Sequence, residues 1–168
     1  MHPKAKKYID QLNLKPHPEG GYFIEVYRSG EIIFPEGFSP RFGRGRSVST
    51  SIYFLLDGNQ LSNFHKLKSD EIWHFYDGCG VKIYVIKIDG RLKEYKLGKN
   101  PDEGEEFQIV IKNNSWFAAE LIDNTSFSLV GCTVSPGFDF EDFELAEREK
   151  MIILFPQFTE LIEKFTAV

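Results

Sequence analysis

The chain has 168 residues, of which 42% are hydrophobic and 15% aromatic, and a formal net charge of -5. That length suits one domain over residues 1–168 with a sizeable core, and the composition excludes a disordered chain. The acidic balance excludes an affinity built on neutralising phosphates, so no nucleic-acid partner is expected. The longest unbroken apolar runs, 52–56 and 151–155, are too short for a membrane helix. Cys79 and Cys132 lie far apart with no apolar signal stretch before them. Reduced, unlinked thiols in a cytoplasmic protein are the expectation.

Residues 4–14 carry Tyr8, Ile9, Leu12 and Leu14 near helical spacing before Pro16 and Pro18, which predicts a short amphipathic helix. Pro18-Glu19-Gly20-Gly21 is turn chemistry. Residues 22–29 then predict a strand with Tyr22, Ile24, Val26 and Arg28 on one face and Phe23, Glu25 and Tyr27 on the other. From 30 to 46 the chain carries Pro35, Gly37, Pro40, Gly43 and Gly45 with Arg41, Arg44 and Arg46, which predicts a long loop of the kind that often covers a site. Strands are predicted at 48–56, 72–76, 81–88, 92–97, 107–111, 116–121 and 126–134, separated by pairs such as Asp57-Gly58, Asp77-Gly78 and Asp89-Gly90. Short strands at that spacing predict an all-β fold, an antiparallel sandwich or barrel over about 18–136. Beyond Ser135-Pro136-Gly137, the acidic segment 138–150 is expected to pack Phe138, Phe140 and Phe143 and turn its carboxylates to water. Residues 158–165 predict a terminal helix outside the barrel.

Between Gly58 and Gly78 the sequence concentrates His65, Glu71, Trp73, His74, Tyr76 and Asp77, its densest set of proton-transfer and ligand side chains. An unperturbed imidazole, with a pKa of about 6.5, suits a base at neutral pH. A buried Glu71 requires a partner or a ligand. Alternation along the strand places His74 opposite Glu71 unless a bulge turns it inward. Trp73 and Trp116 offer ring faces for a sugar or a base. Arg28, ending the first strand, and Arg46, before the second, are the candidate anion contacts.

The run from His65 through Glu71 to Gly78 is similar to the first cupin motif, in which His-x-His, a glutamate and a glycine follow in order. Leu67 stands at the second histidine position and Phe117 at the histidine of the second motif, so only His65 and Glu71 of a metal set remain. No cofactor is therefore expected, a divalent ion on His65 and Glu71 alone being a poor fit. The strings HPEGGYF, EVYRS, STSIYFLL, SNFHKLKSDEIWHFYDG, SWFAAEL and LVGCTVSPGFDFEDFELA resemble the cupin family known as domain of unknown function 985. The resemblance implies a double-stranded β-helix (jelly-roll barrel), a homodimer, and kinship with metal-independent epimerases of keto-sugars. There a barrel histidine, supported by a carboxylate, removes a proton beside a keto group, a tyrosine donates from the other face, and arginine or lysine steadies the enolate. His65 falls on the histidine position, with Glu71 to orient it, and Tyr22, Tyr27 and Tyr53 are the candidate acids. Two readings stay open: an epimerase or isomerase acting on a keto-sugar, perhaps nucleotide-linked, and a non-catalytic module holding a small polar or nucleotide-like ligand. A metal-dependent oxygenase would need ligands this chain lacks.

Overall fold

The structure, a computed structural model, describes residues 1–34 and 40–167; Pro35 and Gly37 of the predicted loop lie outside them. Two antiparallel sheets face each other. One runs β1 (Lys15–Pro16), β2 (Tyr22–Arg28), β5 (Thr50–Asp57), β12 (Phe127–Ser135), β7 (Asp70–Gly78), β10 (Gln108–Ile111), and the other β13 (Phe143–Leu145), β6 (Leu61–Leu67), β11 (Trp116–Leu121), β8 (Val81–Ile86), β9 (Leu92–Leu97). A separate ribbon pairs β3 (Ile32–Ile33) with β4 (Arg46–Ser47) inside the segment predicted as loop.

Strand alternation builds the interior. On β5, Ile52, Phe54 and Leu56 turn inward to meet Trp73, Ile83, Val85, Ile111, Phe117 and Val130, while Leu55 turns outward. Helix α1 (Pro3–Leu12) covers the outer side of the first sheet through Ala5 against Leu55, Phe127 and Leu129. Helices α2 (Arg148–Leu154) and α3 (Thr159–Lys164) cover the second through Met151 and Ile162 against Phe64, Tyr84 and Trp116. Both ends of the chain thus pack outside the barrel. No helix among the described residues is long and apolar enough to cross a membrane.

Three departures from the sequence reading bear on the site. Residues 61–67 form a central strand that the pattern LSNFHKL hides, because Ser62, Asn63 and His65 interrupt the apolar alternation. β13 carries the barrel past residue 136 by adding an edge strand to β6, and α2 follows across the end of the acidic segment, where no element was assigned. The three phenylalanines of 138–150 do stack edge to face, at centroid distances of 5.0–6.2 Å, but Asp142 is buried rather than turned to water.

Candidate functional site

One cavity of about 260 Å³ opens between the sheets at the end where β2, β5, β6, β7 and β12 converge. Its position follows from two bulges. On β2 the register slips between Glu25 and Tyr27, so that Phe23, Glu25 and Arg28 lie opposite Phe54, Ile52 and Thr50 and share the inward face. The predicted faces of this strand are corrected accordingly, since one extra residue reverses parity beyond it. Between β6 and β11 a second slip leaves Ser62 opposite Ala119 and His65 opposite Phe117, which puts Ser62 and His65 on one face despite their odd separation.

The turn His17–Gly21 closes the deep end. Gly20 and Gly21 both take positive φ, and a side chain on Gly20 would strike the carbonyl of Leu61. The chain therefore crosses tightly over β6, and Asn63 N–H donates to Glu19 O at 2.8 Å. Glu19 is delivered, buried, between Ser62, whose hydroxyl donates to Oε1 at 2.9 Å, and His65, whose Nε2 lies 3.1 Å from Oε2. His65 Nδ1 is 2.7 Å from the carbonyl of Asn63 and so carries the proton it donates there, which makes Nε2 an acceptor. Burial drives the His65 pKa down to about 3, and burial together with the nearby Glu71 drives that of Glu19 well above the carboxylate range. Both shifts describe one neutral pair, a carboxylic acid donating to an imidazole. Phe117 lies on His65 at a ring distance of 4.0 Å. His17, lowered to about 4 by burial, accepts at Nδ1 from Glu19 N–H at 3.3 Å, and the same nitrogen lies 3.3 Å from Glu19 Oε2.

Glu71 stands apart from this pair. It is buried on β7, opposite Ile111 and Val134, and lines the cavity; burial raises its pKa to about 7, while the Trp73 indole and the Cys132 thiol pull the other way. Its Oε2 nevertheless has no hydrogen-bond partner, nor does Trp73 Nε1. Leu67, Ile52, Val134 and the rings of Phe23, Phe54, Phe138, Phe140 and Phe143 supply the apolar wall. At the mouth Arg28 forks onto Glu25 at 2.8 and 2.7 Å and donates to Phe138 O at 3.1 Å.

Of the candidate catalytic and ligand-binding residues named from the sequence, His65, Glu71 and Arg28 line this cavity and His74, Tyr53, Arg46, Trp73 and Trp116 do not. Glu19 rather than Glu71 orients His65. His74 faces the outer side of the first sheet and binds Thr133 Oγ1 at 3.1 Å; the bulge of β7 against β12 falls beyond it, between the pairs at Phe75 and Asp77, and leaves its parity unchanged. Tyr53 is on that same outer side, packed edge on to Tyr76. Arg46 is 4% exposed and locked on Asp142 at 2.6 and 2.9 Å, where it fastens the 138–143 strap that forms one wall. Trp73 belongs to the interior core and Trp116 to the cluster under α2 and α3, with Lys66 over its ring. Sequence reasoning missed His17 and Glu19. Their signal was an acid held between a proline and two glycines, in a string already quoted for its family likeness.

Among the described residues no group of three or more His, Cys, Asp or Glu is arranged to hold a metal ion. His65 has no free nitrogen, and Leu67 and Phe117 bring carbon to the positions of the missing ligands, so the residues here do not fit a cupin metal.

Two facing antiparallel sheets with a polar cluster between them make this a cupin fold. Oxalate decarboxylase from Bacillus subtilis superposes with a TM-score of 0.55 at 13% identity, over 89% of this chain and 36% of that one, a likeness of fold alone. The chain belongs to the family described as cupin superfamily (DUF985), whose model matches residues 6–146. Within reach of it are protein SO0799 from Shewanella oneidensis, 37% identical with a TM-score of 0.86 over 97% of both chains, and a hypothetical protein from Leishmania major, 32% identical with a TM-score of 0.88 over 98% of this chain and 99% of that one. The Saccharomyces cerevisiae protein YML079W is 33% identical over an alignment of 154 positions that covers 86% of this chain and 76% of that protein.

Proposed function

We propose that this cupin is a small-molecule-binding protein whose cavity seats one ring-sized ligand, with Glu71 as its polar anchor. The observation that carries the reading is the Glu71 carboxyl on the cavity wall, neither oxygen of which makes a hydrogen bond among the described residues; Oε2 is sealed against the protein, which leaves Oε1 for a ligand. An unsatisfied buried acceptor costs about 1–3 kcal/mol, which a ligand that donates to it recovers. The surrounding phenylalanine rings and aliphatic side chains suit an apolar or flat body, and a few placed polar groups in an apolar wall are what such sites use for orientation. A sugar or nucleotide fragment is of the right size only as its ring.

Binding is favoured over epimerisation with His65 as base. That reaction needs a free imidazole nitrogen and an opposed acid. Both nitrogens of His65 are engaged, and no tyrosine lines the cavity among the described residues.

A fragment screen read by methyl NMR tests the reading. Ligands are expected to shift the signals of Ile52, Leu67 and Val134, and Val134→Trp is expected to remove binding by filling the cavity. Hits that map elsewhere and survive that substitution would refute it.

A further inference from the structure

The cavity is acidic, and its carboxyl groups are not equivalent. Glu25 is matched by the fork of Arg28, and Asp139 at the mouth by Arg44 at 3.2 Å. Glu19 is satisfied by Ser62 and His65. Among the described residues, Glu71 is the one carboxyl of the cavity that makes no hydrogen bond, and the cations near the mouth, Arg28 and Arg44, are already paired with acids. The wall facing it is built of aromatic rings, whose faces attract positive charge, so an acid and a ring wall converge on the same kind of guest.

Resting on the reading of the cavity as a ligand site, we propose that the ligand carries a protonated nitrogen, an ammonium or amidinium group that donates to Glu71 while its apolar body lies against Phe23, Phe54 and Phe143. A charge-assisted bond is roughly twice as strong as a neutral one. It also supplies the compensation that a buried carboxylate needs in order to stay ionised. A neutral alcohol would satisfy the hydrogen bond but not the charge, and an anion would meet repulsion from Glu71. The inference thus predicts a rank order among isosteres: cation, then neutral, then anion.

Benzylammonium, benzyl alcohol and benzoate share one ring and one short polar arm, and calorimetric or NMR titration at pH 8 separates them. Benzylammonium is expected to bind at least about tenfold tighter than the alcohol, a difference of about 1.4 kcal/mol, with benzoate weakest. In Glu71→Gln the advantage of the cation is expected to vanish while the alcohol keeps its affinity within about threefold, near 0.65 kcal/mol. Equal binding of cation and alcohol would overturn the cationic inference and leave the cavity reading intact. A preference for the cation that persists in Glu71→Gln would overturn it too, by assigning the effect to the mouth carboxylates. If none of the three binds at millimolar concentration, the cavity reading itself falls.

Discussion

Replacing Glu71 by glutamine should stabilise the protein at alkaline pH and leave it nearly unchanged at acid pH. Folding raises the carboxyl from its ordinary 4.5 to about 7 because burial penalises the charged form. The folded state therefore binds the proton more tightly than the unfolded one. A group shifted in this direction contributes stability in full below the ordinary carboxylate range and loses it as pH rises through the folded value. The size of the loss is the shift in free-energy terms, about 3 kcal/mol between pH 4.5 and pH 8. Glutamine cannot ionise, so its difference from wild type cancels the titration of every group whose own shift it leaves alone, including the oppositely shifted His17 and His65. Urea denaturation at intervals from about pH 3.5 to pH 8.5 gives that difference directly. It should be flat below about pH 4, grow in favour of the variant between the ordinary and the folded carboxyl values, and level off near pH 8 at about 3 kcal/mol, worth roughly 6–12 °C in Tm for a domain of this size. Any fixed cost of burying the amide shifts the whole curve without bending it. A difference independent of pH would refute the argument, since it would mean that Glu71 ionises in the fold as easily as in the open chain.

Three further outcomes follow from the same geometry. His65→Ala should lower stability by about 1–3 kcal/mol in thermal or urea unfolding, because it strands the proton of Glu19 and the carbonyl of Asn63; an unchanged melting curve would mean the pair is open to water. Arg46→Ala should cost about 3 kcal/mol, the lower end for breaking a buried pair, because it leaves the buried Asp142 with only Lys68 Nζ at 3.3 Å, and Arg46→Ala with Asp142→Ala should recover much of that loss, which a double-mutant cycle would detect. Sedimentation at micromolar concentration should return a homodimer, since Val26, Tyr27, Tyr76 and Val110 leave about half of their surface exposed on the first sheet; a monomer would remove that expectation.

The barrel was legible because turn pairs and apolar runs are local signals. Asp57-Gly58, Asp77-Gly78 and Asp89-Gly90 each end a strand that formed within two residues or so of its predicted bounds. The site was legible only in part, and the losses have physical causes. Arg28 was assigned to the wrong face because the bulge at Val26 depends on how β2 meets β5, which no residue of β2 announces. Arg46 looked like an anion contact because its partner Asp142 is 96 positions away. His65 lines the cavity, but its chemistry as drawn from the sequence was reversed by Glu19, which arrives from a turn far earlier in the chain. An unperturbed imidazole suits a base at neutral pH; a buried one bonded at both nitrogens does not.

These reversals show where polarity goes in a chain that keeps two of the cupin motif's polar positions and fills the others with carbon. In the metal-binding pattern, His65 and Glu71 would face one ion with two further imidazoles, and a divalent charge would hold every ligand in its ionised or neutral form. With Leu67 and Phe117 in the other two positions, the two surviving groups need separate solutions. His65 finds one inside the protein: Glu19 gives it a hydrogen bond, Asn63 takes another, and Phe117 seals the ring, so the pair is neutral and closed. Glu71 finds no comparable one, because beside it stand only the Trp73 indole and the Cys132 thiol, whose pull does not offset its burial, together with Leu67, Val134 and phenylalanine rings. The cost of that isolation falls on the fold as pH rises through the folded value, and under the proposed reading a ligand that donates to the carboxyl recovers it. A poorly partnered carboxyl in a ring-lined wall is therefore the feature through which sequence and stability are coupled here, and through which the proposed binding would act. It is also why the pH profile of Glu71→Gln and the isostere series on the same variant examine one property from two sides.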